Sequence, residues 1–265
     1  MKRVPDWLIY LVVLSLFVYN AMQQKREIAT PIAPGELGEI LPSQSPRDER
    51  VMVTVDAPQS GIGTAFAIDT KGTWMTARHV VDSCEDVGIK VGRSKILRTT
   101  VQINEDADLA ILNSSWARRP LPPDVNSDRR IGETGFFFGF PQGRPGEVVG
   151  SLLGRGRMMV RGRYRSDEGV LAWSELGRTR GLFGSLGGLS GSPVLDSDGE
   201  VIGVVSAESP RRGRVYTVAP LYLRRYFGAT STTAAAEALS VDTYGVQADR
   251  LRRDRRVAQV ICLVN

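Results

Sequence analysis

From residue 51 to residue 220 the chain is a succession of short apolar or alternating runs, and this pattern limits the possible folds more than any other feature. VMVTV (51–55), GTAFAID (63–69), TWMTA (73–77), LRTTVQI (97–103), LAIL (109–112), TGFFFGF (134–140), EVVGSLL (147–153), RMMVRG (157–162), SPVLD (192–196), EVIGVVSA (200–207) and RVYTVAP (214–220) each have strand length. Turn formers such as Asp69-Thr70-Lys71-Gly72 and Asp196-Ser197-Asp198-Gly199 separate them,. Many short strands at fairly even spacing predict an all-β barrel or sandwich. Only LYLRRYFG (221–228) and TAAAEALS (233–240) read as helical. A 42% hydrophobic fraction is enough for a globular core, and 28 glycines with 14 prolines fit a turn-rich chain,. Metal spacings such as C-x-x-C, a P-loop and a dinucleotide fingerprint are absent, so no metal and no cofactor is expected,. The net charge of +5 is spread along the chain, and no nucleic-acid partner is expected,.

The two ends read differently. Lys2 and Arg3 precede an apolar run from Trp7 to Tyr19 that Ala21 and Met22 extend. This is a membrane-targeting pattern, open to two readings: a cleaved signal peptide or an uncleaved anchor. No small-x-small cleavage site follows Tyr19, which favours the anchor. Trp7 to Met22 spans about 24 Å as a helix, short for a bilayer, but the flanking cations can snorkel. The expectation is a single-pass transmembrane segment (1–22) in the inner (cell) membrane. Residues 23–50, with four prolines and no sustained period, read as a flexible stalk,. Residues 51–228 are expected to form the main domain, in the periplasm or extracytoplasmic space. The extension 229–265 holds a basic run, DRLRRDRR (249–256), read as a solvated face, and VAQVICLV, read as a strand able to add to a barrel edge. The two cysteines, Cys84 and Cys262, are expected to form a disulfide in an extracytoplasmic protein; two separate buried thiols are the alternative,.

Three stretches carry chemistry. The single histidine, His79, follows the strand TWMTA, where a strand ends. Asp108 leads straight into the apolar run LAIL, and a carboxylate there needs a partner that an imidazole can supply,. Ser190 stands among Gly187, Gly188 and Gly191. Such a glycine turn can aim two backbone N–H groups at one point, as an oxyanion requires. The order His, Asp, Ser separates the set from the subtilisin-like and α/β-hydrolase arrangements.

On these residues the chain resembles the chymotrypsin-like (trypsin-like) serine peptidases. TARHV looks like their TAxH motif, DLAIL like D-[LI]-A-[LV]-[LIV], and GLSGSPV like G-x-S-G-x-P. GTAFAI, GVVSA and VYTVAP resemble flanking strands, so the resemblance covers about 51–228. The SGSPV variant looks closest to bacterial members, including glutamyl-endopeptidase and HtrA-like groups. The resemblance implies two six-stranded β-barrels with the active site between them. It implies His79 as general base and then acid, Asp108 as its orienting partner and Ser190 as nucleophile. The N–H groups of Gly188 and Ser190 would form the oxyanion hole. Ser206 would back Asp108, and Ser206, Ala207 and Glu208 would line the substrate's extended backbone. Leu189 replaces the aspartate that in many members pairs with a newly cut N-terminus, so activation of that type is not expected.

By the same motif, the base of the primary pocket falls near Gly184 and Ser185, with no counter-charge for Lys or Arg. Arg214 stands where a small residue commonly lines the wall. It either points inward to select an acidic side chain or turns outward, to solvent or to Glu208, leaving a small apolar pocket. Two function classes remain: a membrane-anchored serine endopeptidase acting on polypeptides, and a catalytically idle barrel serving as a membrane-tethered binding or scaffold module.

Overall fold

The structure, a computed structural model, describes residues 37–92, 94–227 and 236–264. The expected transmembrane segment and the first part of the stalk lie outside these residues. Among the described residues no helix is long and apolar enough to cross a membrane.

Two seven-stranded sheets make up the fold. The first holds β2 (Gly61–Ala67), β3 (Thr73–Thr76), β4 (Asp86–Lys90), β5 (Ile96–Arg98), β6 (Thr100–Ile103), β7 (Ala110–Asn113) and β14 (Val257–Leu263), in the order β5-β4-β14-β2-β3-β7-β6. Only Thr99 separates β5 from β6, so one bent segment pairs with β4 and with β7 and closes the sheet. The second holds β1 (Glu49–Val55), β8 (Thr134–Gly139), β9 (Gly146–Gly162), β10 (Ser166–Arg178), β11 (Pro193–Leu195), β12 (Val201–Ser209) and β13 (Arg214–Val218). Here β9 pairs with both β8 and β10, and β11 with both β8 and β12, so six strands form a closed ring. β1 is the seventh, laid parallel along the far end of β9.

The expected six strands per barrel become seven per sheet because both ends of the chain contribute. Residues 37–50, expected as stalk, are not free of the barrel. Leu41 is buried in its core, and Gly38 and Leu41 donate backbone hydrogen bonds to Ile131 and Arg129. The C-terminal strand does not add to an edge; β14 inserts between β2 and β4. The helices are α1 (Arg78–Val81), α2 (Pro220–Leu223) and α3 (Tyr244–Arg253); the run expected as a helix over 221–228 keeps only the single turn α2, and the helix of the extension is α3, not 233–240, of which the described part, 236–240, is irregular. Ala248 and Leu251 of α3 pack into the core. Its basic run is not simply solvated: Arg252 pairs with the Glu147 carboxylate, and Arg256 donates to the carbonyls of Pro120 and Arg119.

Side-chain alternation explains why so many strands are apolar throughout. In β2, Ala65 and Ala67 face the first barrel's interior, while Phe66 faces the seam between barrels. β3 divides Trp74 from Met75 in the same way, and β8 divides Phe137 from Phe136 and Phe138. Successive residues of a strand point to opposite faces, and here both faces are buried. The seam cluster of Phe66, Met75, Leu109, Phe136 and Phe138 therefore fixes one barrel on the other.

Candidate active site

His79 sits in a single helical turn, α1 (Arg78–Val81), directly after β3, and buried Val80 and Val81 pin the turn to the barrel. Asp108 lies in the connection from β6 to β7. There the Asn104 side chain accepts hydrogen bonds from the backbone of Asp106 and Ala107 and shapes the loop. The two residues, 29 apart in sequence, meet through His79 Nδ1 and Asp108 Oδ2 at 2.7 Å. A carboxylate only accepts, so Nδ1 carries the proton and Nε2 is left as the acceptor.

Asp108 is fully engaged. Its Oδ1 accepts from the His79 backbone N–H (2.9 Å) and the Tyr164 hydroxyl (3.0 Å). Its Oδ2 also accepts from the Ser206 hydroxyl at 2.5 Å. Burial pushes the Asp108 carboxyl up, but the His79 charge and these hydrogen bonds outweigh burial and hold it below the usual carboxylate range,. For His79, burial and Arg163 push down, the Asp108 charge and hydrogen bond push up more strongly, and the imidazole ends above its ordinary 6.5. A histidine acts as a general base only when neutral. Peptide turnover should therefore fall as the pH drops through a value above 6.5, with a single-proton slope in kcat/KM,. A flat profile down to pH 5 would remove His79 from the general-base role.

Tyr164, Glu168, Arg163 and Gln142 were not foreseen from the sequence. Glu168, fully buried in β10, accepts the Asp108 backbone N–H through Oε2 at 2.6 Å. Burial first, and then the Asp108 charge, push its carboxyl up to about 9. Arg163 donates to the His79 carbonyl at 2.8 Å, and the Arg78 guanidinium lies 3.9 Å from the Tyr164 ring centre. Glu168 was legible in principle by the reasoning applied to Asp108, since Asp-Glu also leads into an apolar run, Gly-Val-Leu-Ala-Trp. A carboxyl raised on folding is protonated in the folded chain and ionised in the unfolded one between pH 4.5 and about 9. Stability is thus lost as pH rises through that window. Glu168→Gln should stabilise the protein by on the order of 2–4 kcal/mol at pH 8 and by little at pH 4.5. Thermal unfolding at the two pH values checks this; an equal gain at both would show that the buried proton is not the cause.

Ser190 stands at a turn whose geometry requires glycine on both sides. Gly191 has φ +83°, and a Cβ there would lie 2.2 Å from the Thr64 carbonyl oxygen. Gly188 has φ +95°, and a Cβ there would lie 2.5 Å from the Phe140 carbonyl oxygen. The Thr64 N–H donates to the Ser190 carbonyl (2.9 Å), and the Thr64 hydroxyl donates to the Gly188 carbonyl (2.8 Å). Gln142, at φ +53° in the turn before β9, donates its backbone N–H to the Gly187 carbonyl at 2.6 Å. Its side chain donates to the carbonyls of Phe183 and Ser185. In a trans peptide the C=O and N–H point opposite ways, so anchoring the Gly187 carbonyl turns the Gly188 N–H away from Gln142. Among the described residues neither that N–H nor the Ser190 N–H has a hydrogen-bond acceptor. Two unpaired donors beside a serine are the elements of an oxyanion site.

His79, Asp108, Ser190, Ser206, Ala207 and Glu208 all line one cavity of about 370 Å³. Gly184 and Ser185, expected at the base of a primary pocket, are exposed and do not line it. Glu208 reaches across from β12 instead: its carboxylate accepts from the Ser185 hydroxyl (2.5 Å) and the Leu186 N–H (2.9 Å). Beneath, Leu186, Leu189, Val205 and Val215 are buried together in the second barrel's core. Arg214 neither fills the pocket nor pairs with Glu208; it is one-third exposed and lies 4.0 Å from the Glu49 carboxylate of β1. Cys84 and Cys262 are joined in a disulfide. Away from this cavity, Asp124, Asp196 and Glu200 bring carboxylates within 4.8 Å of one another, but the Arg129 guanidinium already pairs with Asp124 and Asp196.

Two β-barrels joined at an apolar seam, with a polar cleft holding a histidine, an aspartate and a serine, define a double-barrel class of fold. Residues 63–204 match the family described as trypsin-like peptidase domain, more than half of the chain, and the protein belongs to that family. It is similar to Protease Do-like 5, chloroplastic, of Arabidopsis thaliana, 30% identical over 169 residues, covering 58% of this chain and 50% of that protein. Protease Do-like 1, chloroplastic, of the same plant is 25% identical over 221 residues, covering 81% of this chain and 44% of that protein. The chain spans half or less of the length of these relatives. Among solved structures, the active form of the Rv3671c protease from M. tuberculosis aligns with a TM-score of 0.52 at 19% identity. That alignment covers 67% of this chain and 76% of the other, and it shows a shared fold.

Proposed function

We propose that this protein is a serine endopeptidase that hydrolyses peptide bonds through an acyl-enzyme. The observation that carries the reading is the cavity that gathers a carboxylate-oriented imidazole and Ser190, with unpaired backbone N–H groups at Gly188 and Ser190 in the turn that holds the serine. In this mechanism His79 Nε2 takes the Ser190 proton as Oγ attacks the carbonyl carbon. The Gly188 and Ser190 N–H groups stabilise the oxyanion, and His79 then protonates the leaving amine. Water repeats the sequence to release the acid. Asp108, held by Tyr164, Ser206 and the His79 backbone, fixes the tautomer and stabilises the imidazolium. The catalytically idle scaffold makes the opposite prediction in one experiment. A fluorophosphonate probe should label Ser190 of the full chain and nothing in Ser190→Ala; an unlabelled wild-type protein would favour the scaffold.

The domain is further read as extracytoplasmic and held by an N-terminal membrane anchor. The Cys84–Cys262 disulfide supports an oxidising compartment,, and the apolar run Trp7–Tyr19 without a cleavage site supports the anchor. The full-length protein should stay in the membrane fraction after a high-salt wash. Recovery of soluble protein with a mature N-terminus between residues 20 and 35 would rule the anchor out.

A further inference from the structure

Four consecutive amides hold the β6–β7 connection, and one of them leaves its own barrel. The Asp106 and Ala107 N–H groups donate to the Asn104 side chain, and the Leu109 N–H to the Ala107 carbonyl. The Asp108 N–H crosses to the second barrel, where it donates to Glu168 Oε2 on β10 at 2.6 Å. Glu168 is fully buried, and its Oε1 has no hydrogen-bond partner among the described residues. Asp108, at the other end of the bond, takes four donors on its two carboxylate oxygens. Two buried carboxyls thus meet with opposite provision. The one with four donors suits the ionised form, and the one with a single donor suits the neutral acid.

The other charged and titratable groups around Glu168 are engaged elsewhere. Arg78 of α1 is held by Asp82, the Asn104 carbonyl and the face of the Tyr164 ring. Arg163 lies with Asp82 and the His79 carbonyl. Tyr164, just before β10, donates to Asp108, and Asp167 pairs with Arg157 of β9. From α2 the Tyr222 hydroxyl accepts the Gly169 N–H, and from β9 the apolar Met158 stands opposite Glu168.

We propose that Glu168 is a positioning residue: as a neutral carboxylic acid it fastens the Asp108 peptide to the barrel that carries Ser190, and so sets the imidazole against the serine. The proposal rests on the endopeptidase reading and adds to it a residue that is not among those lining the cleft. His79 and Asp108 come from the first barrel and Ser190 from the second, so their alignment depends on ties between the two. The neutrality of Glu168 matters as much as its bond. Burial and the Asp108 charge push its carboxyl up to about 9, and above that pH a second buried anion faces Asp108. Like charges push apart. A displacement of about 1 Å at a reacting group costs on the order of 10²-fold in rate.

The test uses the full chain with two readouts: kcat and KM on a peptide ester, and the NMR signal of the Nδ1 proton of the chain's one histidine, shifted downfield by its bond to Asp108. Glu168→Leu leaves the buried Asp108 N–H without an acceptor. It should lower kcat by on the order of 10–10²-fold with KM within about twofold of wild type, and it should lose the Nδ1 signal at pH 7. Glu168→Gln keeps an accepting oxygen and cannot ionise, so it should recover most of kcat and the signal. Wild-type kcat/KM and the Nδ1 signal should fall as pH rises through about 9, and in Glu168→Gln they should not. Wild-type kcat in Glu168→Leu, a glutamine variant no better than the leucine variant at pH 7, or the same alkaline limb in wild type and Glu168→Gln overturns the proposal. If Glu168→Leu does not fold, the alkaline comparison of wild type with Glu168→Gln decides. Failure of the wild-type protein to label with a fluorophosphonate overturns the endopeptidase reading instead. The Nδ1 signal across the same proteins and pH values then still decides whether Glu168 positions the Asp108–His79 pair.

Discussion

Replacing Ser190 by alanine is expected to lower turnover of a peptide ester by about 10⁴–10⁶-fold and to leave thermal stability within about 0.5 kcal/mol of wild type. The structure explains why this position separates chemistry from folding. The contacts that hold the Ser190 turn are made by its main chain: its carbonyl accepts from the Thr64 N–H, and the Gly191 N–H donates to the Val205 carbonyl. Neither depends on the hydroxyl. Removing Asp108 would be a poorer test. It would strand the buried donors of Tyr164 and Ser206 and the His79 backbone N–H together, so lost activity could reflect lost structure,. Some rate above water should survive in Ser190→Ala, because the Gly188 and Ser190 N–H groups remain in place. Active-site titration and thermal unfolding on the same preparation check both halves. Wild-type turnover in the variant would end the assignment of Ser190 as nucleophile.

The residues that the cleft gathers, His79, Asp108 and Ser190, were legible as candidates because each announces itself locally. His79 ends an apolar strand, Asp108 is a charge at the mouth of a buried one, and Ser190 stands in a glycine turn. The sheet pattern was legible where strands are apolar on both faces, as in Thr-Gly-Phe-Phe-Phe-Gly-Phe. It failed where that signal is diluted. β10, thirteen residues long, was missed because Ser166, Asp167, Glu168 and Gly169 open it like a turn. Yet Glu168 is there to meet Asp108 from 60 residues away, and Tyr164 meets the same carboxylate from 56. The pairings belong to the closed barrel and have no local signature, although Glu168 itself, a charge ahead of an apolar run, carries the same local sign as Asp108. The same holds for the ends of the chain. VMVTV was recognised as a strand, but nothing within it says that it will lie parallel to β9 and wall the cleft. The helix α3 was hidden by its arginines, one of which, Arg252, is buried on specific acceptors instead of facing water, as is Arg256 just beyond the helix.

Loss of the Cys84–Cys262 disulfide is expected to be the largest single change in stability. The bond closes a loop of 178 residues, and in the chain-entropy model a loop of that size constrains the unfolded state by about 5 kcal/mol. For a domain of this length each kcal/mol moves the unfolding midpoint by about 2–4 °C, so reduction should lower Tm by about 10–20 °C. The location gives the bond a second consequence. Cys84 lies just after α1, the turn that carries His79, and Cys262 lies on β14, which is hydrogen-bonded to β2 and β4. The bond therefore ties the C-terminal strand to the segment that positions the imidazole. A Cys84→Ala/Cys262→Ala variant should keep its activity well below its lowered Tm and lose it over the same temperature range in which it unfolds. Thermal unfolding with and without reductant measures the effect, and the double variant, which has nothing to reduce, should not respond to reductant. Thiol titration of denatured, unreduced protein should find none of the two cysteines free. Two titratable thiols, or a wild-type Tm unmoved after full reduction, would show that the bond is absent or that β14 is held by its strand pairing alone.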